Sequence, residues 1–420
     1  MRRTLGVAIL ALLLSPALSI AQTSPETPFR GFGLSGSLRG SYWSSSRDLD
    51  DRQHFFGSAL WLKAAPRLGE RLSILAEGWV RNEELFHEGA TDGELREAYL
   101  ETGWGPLDLR VGKQIVAWGR ADRINPTDNL SPRDFTLLVP DDDDQRLGTP
   151  AVKATWHLPW VSVTGLWLPE FEPHTIPLQR RSGVTLIERA PDQTVGQWAL
   201  KLEQTGGAVD WSLSYFDGFD PVPDFAIDRI TLTSLDLVLK HNRIRVIGAD
   251  AATTLGRYGL RGEAAFTFTE DPDGTNPRVK NPFFFMVVGG DRTFFEYLNV
   301  NLQYLFRYVV RHRSPVDIAD PIQRGVATEQ ALVANELDQV QHGASLRVSH
   351  KWLNETLEAE VGGIVTFTRL DFAVRPKVTY SVTDRWKVVM GADIFRGQRR
   401  SFFGRLWDNS TAYAEVRWSF

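Results

Sequence analysis

The feature that most constrains this chain is an alternation of apolar and polar residues with a period of two. Over residues 298–309, apolar side chains occupy the even positions, while Asn299, Asn301, Gln303 and Arg307 occupy odd positions. Successive side chains of a β-strand point to opposite faces, so this segment is predicted to be a strand with one apolar and one polar face. Similar segments recur from about residue 32 to residue 420. The chain is therefore predicted to be all-β.

Two kinds of connection alternate between the predicted strands. Tight turns such as "GWGPL" (103–107), "TGGAV" (205–209) and "WLNET" (352–356) separate some of them. Long polar loops separate others, over 119–148, 170–194, 218–242, 269–281 and 312–336. Outer-membrane barrels combine short periplasmic turns with long extracellular loops. We therefore predict a transmembrane antiparallel β-barrel of about 18 strands, with about 16 as the alternative, that has this arrangement of turns and loops.

A soluble sandwich of two sheets is the alternative fold, because its strands alternate in the same way. The apolar faces of this chain end in aromatic residues, which suit the girdles at two lipid interfaces: Tyr42, Trp61, Trp156, Trp167, Trp198, Trp386, Trp418 and Phe420. The opposite faces carry too many charges for a dry core. The mean hydropathy of −0.23 also fits strands that show only half of their residues to lipid. These observations favour the barrel.

The N-terminus predicts export. Arg2 and Arg3 precede a short apolar run, and small residues follow at 19–21, which is the pattern of a cleaved signal peptide over residues 1–21. Residues 22–31 are predicted to be a short periplasmic segment, and residues 32–420 the barrel. We therefore expect the protein in the outer membrane of a Gram-negative bacterium, with outer-membrane lipid around it.

Composition and motifs exclude several classes of function. Without residues 1–21 the chain has 45 basic and 52 acidic residues, a net charge of −7, and a nucleic-acid-binding protein would carry a basic excess. The chain has no cysteine, and its histidines lack metal-ligand spacing, so no metal site is predicted. No G-x-S-x-G or H-E-x-x-H motif is present. We predict that the protein is not an enzyme and needs no cofactor.

The densest charge cluster is the run from Asp141 to Asp144. Two interpretations remain open for it. The run is either a solvated loop or a site for a divalent cation, because adjacent carboxylates suit hard cations.

The polar faces of the predicted strands provide the candidate pore lining. Charged residues at these positions either pair across strands or line a water-filled pore. The candidates are Arg39, Arg71, Glu77, Arg81, Arg110, Lys153, Lys201, Arg245, Arg261, Arg307, Arg347, Arg375 and Lys377. Because basic residues predominate, we expect a preference for anionic solutes.

The loop over residues 119–148 is longer than a hairpin needs, and such loops are usually functional. Its prolines limit its freedom, so it either folds inward as a constriction or packs on itself outside the barrel. If it folds inward, Arg120, Asp122, Arg123 and Asp128 are the candidates for the narrow point.

The last predicted strand ends in Val416, Trp418 and Phe420, which lie on one face. In a closed barrel this strand pairs with the first one, because an unpaired edge is costly in lipid. An apolar alternation ending in an aromatic residue also fits a signal for the outer-membrane assembly machinery, which we expect to be a partner.

The segment Arg110–Thr136 resembles a family motif, G-[KR]-Q-x-x-x-W-G-x-x-D followed by N-P-x-D. The matching positions are Gly112, Lys113, Gln114, Trp118, Gly119, Asp122, Asn125, Pro126, Asp128, Pro132 and Asp134. Residues 246–266 form a second matching block. Both resemble a large, mostly uncharacterised, porin-like family of Gram-negative outer-membrane β-barrels that is distantly similar to alginate exporters. The resemblance implies the fold and the location, but no established substrate.

Together these observations predict a passive channel, either a porin or an exporter-type barrel, that passes a hydrophilic solute or a secreted polysaccharide. A polysaccharide would require a periplasmic export partner. Two alternatives remain open. One is uptake of hydrophobic compounds through an internal apolar site, and the other is a plugged barrel that presents its loops at the surface.

Overall fold

The computed structural model describes residues 33–45, 54–69, 71–82, 91–178, 181–191 and 196–420. The predicted signal peptide (1–21) and the predicted segment 22–31 lie outside these residues. Among the described residues, no helix is both long enough and apolar enough to cross a membrane.

The described residues form one large antiparallel sheet of 18 principal strands, which we number in chain order. Strands β1 to β9 are Leu34–Ser45, His54–Ala64, Leu72–Asn82, Thr91–Trp104, Leu107–Gln114, Thr149–His157, Ser162–Leu168, Gln197–Gln204 and Asp210–Phe219. Strands β10 to β18 are Arg243–Leu255, Tyr258–Phe268, Phe283–Phe294, Leu298–Val309, Val340–Trp352, Leu357–Thr366, Asp371–Ser381, Trp386–Arg396 and Thr411–Ser419. A two-residue strand, Arg67–Leu68, extends the turn before β3.

The sheet closes on itself, because β1 pairs with both β2 and β18. In the closing register Gly40 lies opposite Val416, and Tyr42 lies opposite Ala414. The backbone N–H of Phe420 donates to the carbonyl of Gly36 at 3.1 Å and continues this pairing past the end of β18. The prediction of a closed barrel is confirmed, with 18 strands and not 16, and the sandwich is excluded.

The alternation predicted for the strands is present in the barrel wall. On β13, Leu302 and Tyr304 are exposed on the outside, whereas Asn301 and Gln303 are buried on the inside. Trp61 departs from the prediction of an outer aromatic girdle. It is buried and lies under the guanidinium of Arg39, 4.2 Å from the ring centroid, on the inner face of the wall.

A β-bulge changes the phase of β4. Glu77 of β3 pairs with Glu97, but the next residue, Gly78, pairs with Leu95, so Arg96 is the extra residue. A bulge re-aims a side chain. Arg96 reaches the inner carboxylate of Glu77 at 2.8 Å and the carbonyl of Arg146 at 2.8 Å.

The two ends of the barrel differ in their connections. One end carries short turns, such as 105–106, 158–161 and 256–257. The other end carries longer loops, among them 115–148, 169–196, 220–242 and 310–339. This arrangement agrees with the predicted turns and loops. We call these the short-turn end and the long-loop end.

Three of the long loops build a small cap at the long-loop end. Val184–Arg189, Asp224–Ile230 and Leu235–Lys240 form a three-stranded sheet, and the helix Pro321–Val333 packs on it. Asp320 caps the helix by accepting from the backbone N–H of Gln323 at 2.7 Å, and Pro321 fits its first turn. The cap core contains Phe225, Leu237, Leu239, Val326 and Val333. The alternation in the sequence predicts polar loops for these segments and gives no indication of the cap.

Candidate functional site

The loop 115–148, between β5 and β6, lies inside the barrel, where we call it the inner loop. Its strongest anchor is Glu263 on the inner face of β11, which is only 2% exposed. The Glu263 carboxylate accepts from the backbone N–H groups of Arg120 (3.0 Å), Ala121 (3.1 Å) and Thr127 (2.8 Å). It also accepts from the Thr127 hydroxyl at 2.8 Å and the Asn125 amide at 3.1 Å. A buried carboxylate needs such donors, so Glu263 fixes the path of the loop backbone.

Next to this anchor, Arg120 pairs with the same wall. Its Nε donates to Asp250 at 2.6 Å, and one of its terminal nitrogens donates to Glu203 at 2.7 Å. Gly119 precedes it with φ near +98°, and a Cβ atom there would meet the carboxylate of Glu263. Only glycine adopts that conformation in that space without strain.

From there the inner loop continues to the next part of the wall. The backbone N–H of Asp122 donates to the side-chain carbonyl of Gln303 on β13 at 2.8 Å, and the Asp122 carboxylate accepts from Arg347 on β14 at 2.8 Å. Arg123 donates to Glu360 on β15 at 2.6 Å. These contacts place Arg120, Asp122 and Arg123 in the lumen.

Asp128, the fourth candidate for the narrow point, has a different role. Its carboxylate pairs with Arg146 at 2.6 Å and with Arg133 at 3.3 Å. Both partners belong to the inner loop. Asp128 therefore holds two parts of the loop together and does not reach the barrel wall.

The acidic run joins the inner loop to a third part of the wall. Asp144 pairs with Arg39 on β1 at 2.6 Å, and Asp141 pairs with Lys377 on β16 and Arg417 on β18, each at 3.1 Å. Asp142 pairs with Arg375 on β16. The solvated-loop interpretation is therefore wrong for these three residues, because they neutralise inward-facing basic side chains. The described residues contain no cluster that could hold a metal ion.

The ion pairs lower the pKa of Asp141. Burial alone would raise the pKa of Asp141, but Lys377 and Arg417 together hold the pKa below its ordinary value. Asp141 therefore stays charged at neutral pH, which keeps the inner loop attached to β16 and β18.

An apolar part of the inner loop packs on aromatic residues of the wall. Leu138 contacts a buried cluster that contains Trp43, Phe55, Val389 and Tyr413. Burying a leucine side chain stabilises a contact by about 1.5–3 kcal/mol. The inner loop is thus held by apolar packing as well as by ion pairs.

Beside the inner loop there is a cavity of about 950 Å³. One part of its lining is charged and includes Arg123, Arg347, Glu360, Arg375 and Lys377. Another part is apolar and comes from the inner loop (Leu137, Leu138, Val139) and from the loop 397–410 (Phe402, Phe403, Leu406). A cavity of this size and mixed character is typical of a site for small molecules.

The candidate pore-lining residues are placed as follows. Most of them face the lumen and have a partner in the wall or in the inner loop. Besides the pairs already described, Glu77 pairs with Lys63 and Arg96, Arg110 with Glu101, Lys201 with Glu203, and Arg261 with Asp291. Arg81 lies over the ring of Trp79, and Lys153 is half-buried on the inner face of β6.

Two of the candidates are placed elsewhere. Arg71 is exposed in the turn before β3, at the short-turn end. Arg245 lies on the outer face of β10, where its side chain is 65% exposed and pairs with Asp217 at 3.4 Å. The prediction for Arg245 fails because the neighbouring Ile244 and Val246 face inward, against Trp118 and Leu130 of the inner loop. At this part of β10 the apolar residues face the lumen, so the charged residue between them faces outward, opposite to the prediction.

The pairing also changes the charge balance of the lumen. The pore-lining candidates are mostly basic, but the same wall also carries carboxylates, among them Glu203, Asp250 and Glu360. The carboxylates of Asp122, Asp141, Asp142 and Asp144 lie against that basic surface, because the inner loop carries them into the lumen. The geometry therefore does not support the expected anion preference.

Arg307 connects the barrel to the cap. It lies over the ring of Phe283 and pairs with Glu336 of the loop 310–339 at 3.4 Å. Burial raises the pKa of Glu336 to about 7, against the opposing effect of Arg307 and Lys280. Nearby, Lys280 pairs with Asp220 at 2.6 Å. Charged groups from the wall and three loops thus meet under the cap.

Two wall residues that anchor the inner loop are not among the site residues predicted from the sequence. Glu263 and Asp250 belong to the second block of the family resemblance, residues 246–266, and they bind Arg120, Asn125 and Thr127 of the first block. The two blocks that carry the resemblance therefore meet in space. The presence of two such blocks in the sequence is the signal that could have predicted this contact.

Several solved structures of outer-membrane proteins are similar to this chain. The outer membrane protein OpdK from Pseudomonas aeruginosa aligns with a TM-score of 0.54 and 10% identity, over 92% of this chain and 98% of that one. A loop-deletion mutant of OmpT, an outer membrane protein of Vibrio cholerae, aligns with a TM-score of 0.45 and 13% identity, over 92% and 98% of the two chains. A mutant of the Rh. blastica porin aligns with a TM-score of 0.43 and 13% identity, over 92% and 99%.

At such low identity, the likeness to OpdK concerns the fold alone. No curated protein matches the sequence. The predicted resemblance to an uncharacterised, porin-like barrel family is confirmed. The family model described as "Protein of unknown function (DUF1302)" matches residues 75–419, and the chain belongs to this family.

Proposed function

We propose that the protein is a channel in the outer membrane of Gram-negative bacteria, and that the inner loop restricts its lumen to small solutes. The observation that carries this proposal is the path of the inner loop, which is bonded to strands on several sides of one closed barrel. A wall of closed strands with a charged interior suits the passage of polar solutes, and such passage needs no catalysis and no cofactor.

The size of the solute follows from the same geometry. The inner loop and the cap occupy space that a secreted polysaccharide would need. The cavity of about 950 Å³ beside the loop suits a small molecule better. We therefore favour a small solute over the polymer, and this choice removes the need for a periplasmic export partner.

One observation favours a second function. Most inward-facing basic residues are paired, and complete pairing is what a plugged barrel with surface-presented loops would have. In that case the inner loop would be a permanent plug, and the barrel would not conduct ions.

Single-channel recording in planar bilayers separates the two functions. We expect steady conductance with weak ion preference for the wild type. The variant Asp141→Asn/Asp142→Asn/Asp144→Asn should conduct more, with a shift toward anions, because it releases the inner loop and uncovers Arg39, Arg375 and Lys377. The matched control is Asp273→Asn/Asp317→Asn/Asp384→Asn, which removes the same charge at exposed positions.

The control should behave as the wild type does. Absence of current from folded wild-type protein, with current only after release of the loop, would favour the plugged barrel. Absence of current from all three proteins would refute the channel.

A further inference from the structure

One guanidinium in the cavity stands apart from the others. Arg405, in the loop 397–410, lines the cavity, and its side chain is only 14% exposed. Among the described residues, its closest approach to a carboxylate is 3.9 Å, between Nη1 and Oε1 of Glu329 in the cap helix. Its Nε is buried and has no hydrogen-bond partner in the part of the chain that the structure describes.

Glu329 is not available to Arg405 alone. The same residue accepts a hydrogen bond from Arg181 at 3.0 Å through its other carboxylate oxygen. By contrast, Arg123, Arg347 and Lys377 in the same cavity each have a carboxylate within 3.1 Å. Arg405 is therefore a largely buried cation whose Nε donor is unused. Such a group is costly to bury unless an anion reaches it.

The surroundings of Arg405 indicate the kind of anion. Phe402, Phe403 and Leu406 come from the same loop and line the cavity, and Val333 of the cap helix lines it nearby. The guanidinium carbon of Arg405 lies 5.9 Å from the ring centroid of Phe402. A ligand that reaches Arg405 therefore passes apolar side chains, which favour an apolar body next to the charged group.

We propose that this cavity binds small amphipathic carboxylates, with the carboxylate on Arg405 and the apolar body against Phe402, Phe403 and Leu406. The planar guanidinium presents two parallel N–H donors, which match the two oxygens of a carboxylate. The proposal rests on the proposed channel function and names the class of its solute. It also accounts for the apolar part of the cavity, which a path for purely hydrophilic solutes does not require.

The wild-type protein in lipid nanodiscs tests the ligand class by isothermal titration calorimetry, with empty nanodiscs subtracted. The probes are hexanoate, 1-hexanol, acetate and hexyl phosphate. Hexanoate should bind at least about tenfold more tightly than 1-hexanol, which lacks the charge, and acetate, which lacks the body. Equal binding of hexanoate and 1-hexanol would overturn the proposal, as would hexyl phosphate binding about tenfold more tightly than hexanoate.

A variant tests the residue. Arg405→Gln should weaken hexanoate binding at least about tenfold. The matched control is Arg399→Gln in the same loop, where Arg399 pairs with Asp408 at 3.2 Å, and it should bind hexanoate as the wild type does. Unchanged binding of hexanoate by Arg405→Gln would overturn the proposal, because another cation would then bind the carboxylate. These measurements do not depend on conductance, so their failure is distinguishable from failure of the channel function.

Discussion

Glu263 concentrates much of the inner loop's attachment in one side chain. It is buried on the wall and accepts hydrogen bonds from four residues of the loop. No other single residue described above holds so many loop donors. The attachment of the loop to β11 therefore depends on one negative charge.

We expect Glu263→Gln to loosen the inner loop, because the amide group turns two donors toward the backbone N–H groups of Arg120 and Ala121. The loop contact should lose about 2–4 kcal/mol. The chain has no native cysteine, so Leu138→Cys is a specific reporter. Its labelling by a maleimide should become faster in the Glu263→Gln background.

The control for this measurement is Glu358→Gln on β15, a residue of the inner wall toward the short-turn end. It should leave the labelling rate of Leu138→Cys unchanged. Equal rates in all backgrounds would mean that Glu263 does not hold the loop.

At the scale of elements, the cap and the inner loop meet the barrel wall through buried charges. Glu336 faces Arg307 of β13, Lys280 of the loop 269–282 and Asp224 of the cap sheet, and it accepts from the backbone N–H of Asn281 at 3.4 Å. Docking of the cap on the barrel is therefore expected to depend on the protonation of Glu336, and so on pH.

The sign of the linkage follows from the direction of the shift. The pKa of Glu336 is about 7 in the docked cap and about 4.5 for an ordinary glutamate, so the docked cap holds a proton that the released segment loses. Docking should weaken as pH rises from about 4.5 to about 7. Asp224 acts in the same direction, with its pKa raised to about 6 by burial. His174 opposes them below pH 6.5, because burial lowers its pKa to about 4.

Comparison of the wild type with Glu336→Gln isolates the contribution of Glu336 to the pH dependence of the Tm. The Tm of the wild type should fall relative to that of the variant as pH rises from about 4.5 to about 7, because Gln resembles the protonated acid. Glu296→Gln, in an exposed turn at the short-turn end, is the matched control and should show a constant difference from the wild type. A constant difference for Glu336→Gln as well would contradict the linkage.

At the scale of the whole molecule, closure of the barrel depends on the β1–β18 register. Gly40 and Val416 are direct partners, and a Cβ atom at Gly40 would meet no atom within 4 Å. Cα atoms of directly opposed residues lie within reach of a disulfide. Gly40→Cys/Val416→Cys should therefore cross-link on oxidation, and the denatured, oxidised chain should migrate differently in gel electrophoresis.

The control pair is Gly40→Cys/Ala412→Cys, in which the second cysteine lies four residues earlier in β18, about 13 Å from position 416. It should not cross-link. Cross-linking of the control but not of the first pair would place the closing strands in another register.

The sequence predicts the wall of this molecule better than its interior. Alternation is a local property, so the strands and their number follow from segments such as 298–309. The path of the inner loop cannot be predicted from a local segment, because its partners are distant in the chain. Asp141 lies 276 residues from Arg417 and 236 residues from Lys377. Arg245 shows the same limit, since its face is decided by the packing of Trp118 on Ile244 and Val246. The helix Pro321–Val333 begins with the recognisable pair Asp320 and Pro321, a signal that the sequence analysis passes over.

The pairing of Asp141 with β16 and β18 has a consequence for the order of assembly. The inner loop precedes β6 in the chain, but the strands that hold its acidic run include the last one. Long-range contacts form late, because closing a large loop costs entropy before the contact stabilises it. The acidic run therefore reaches its final position only when β16 and β18 are in place, so that part of the first long loop to be synthesised is among the last segments to become ordered. A barrel that inserts into the membrane strand by strand would complete the attachment of its inner loop only when its final hairpin arrives.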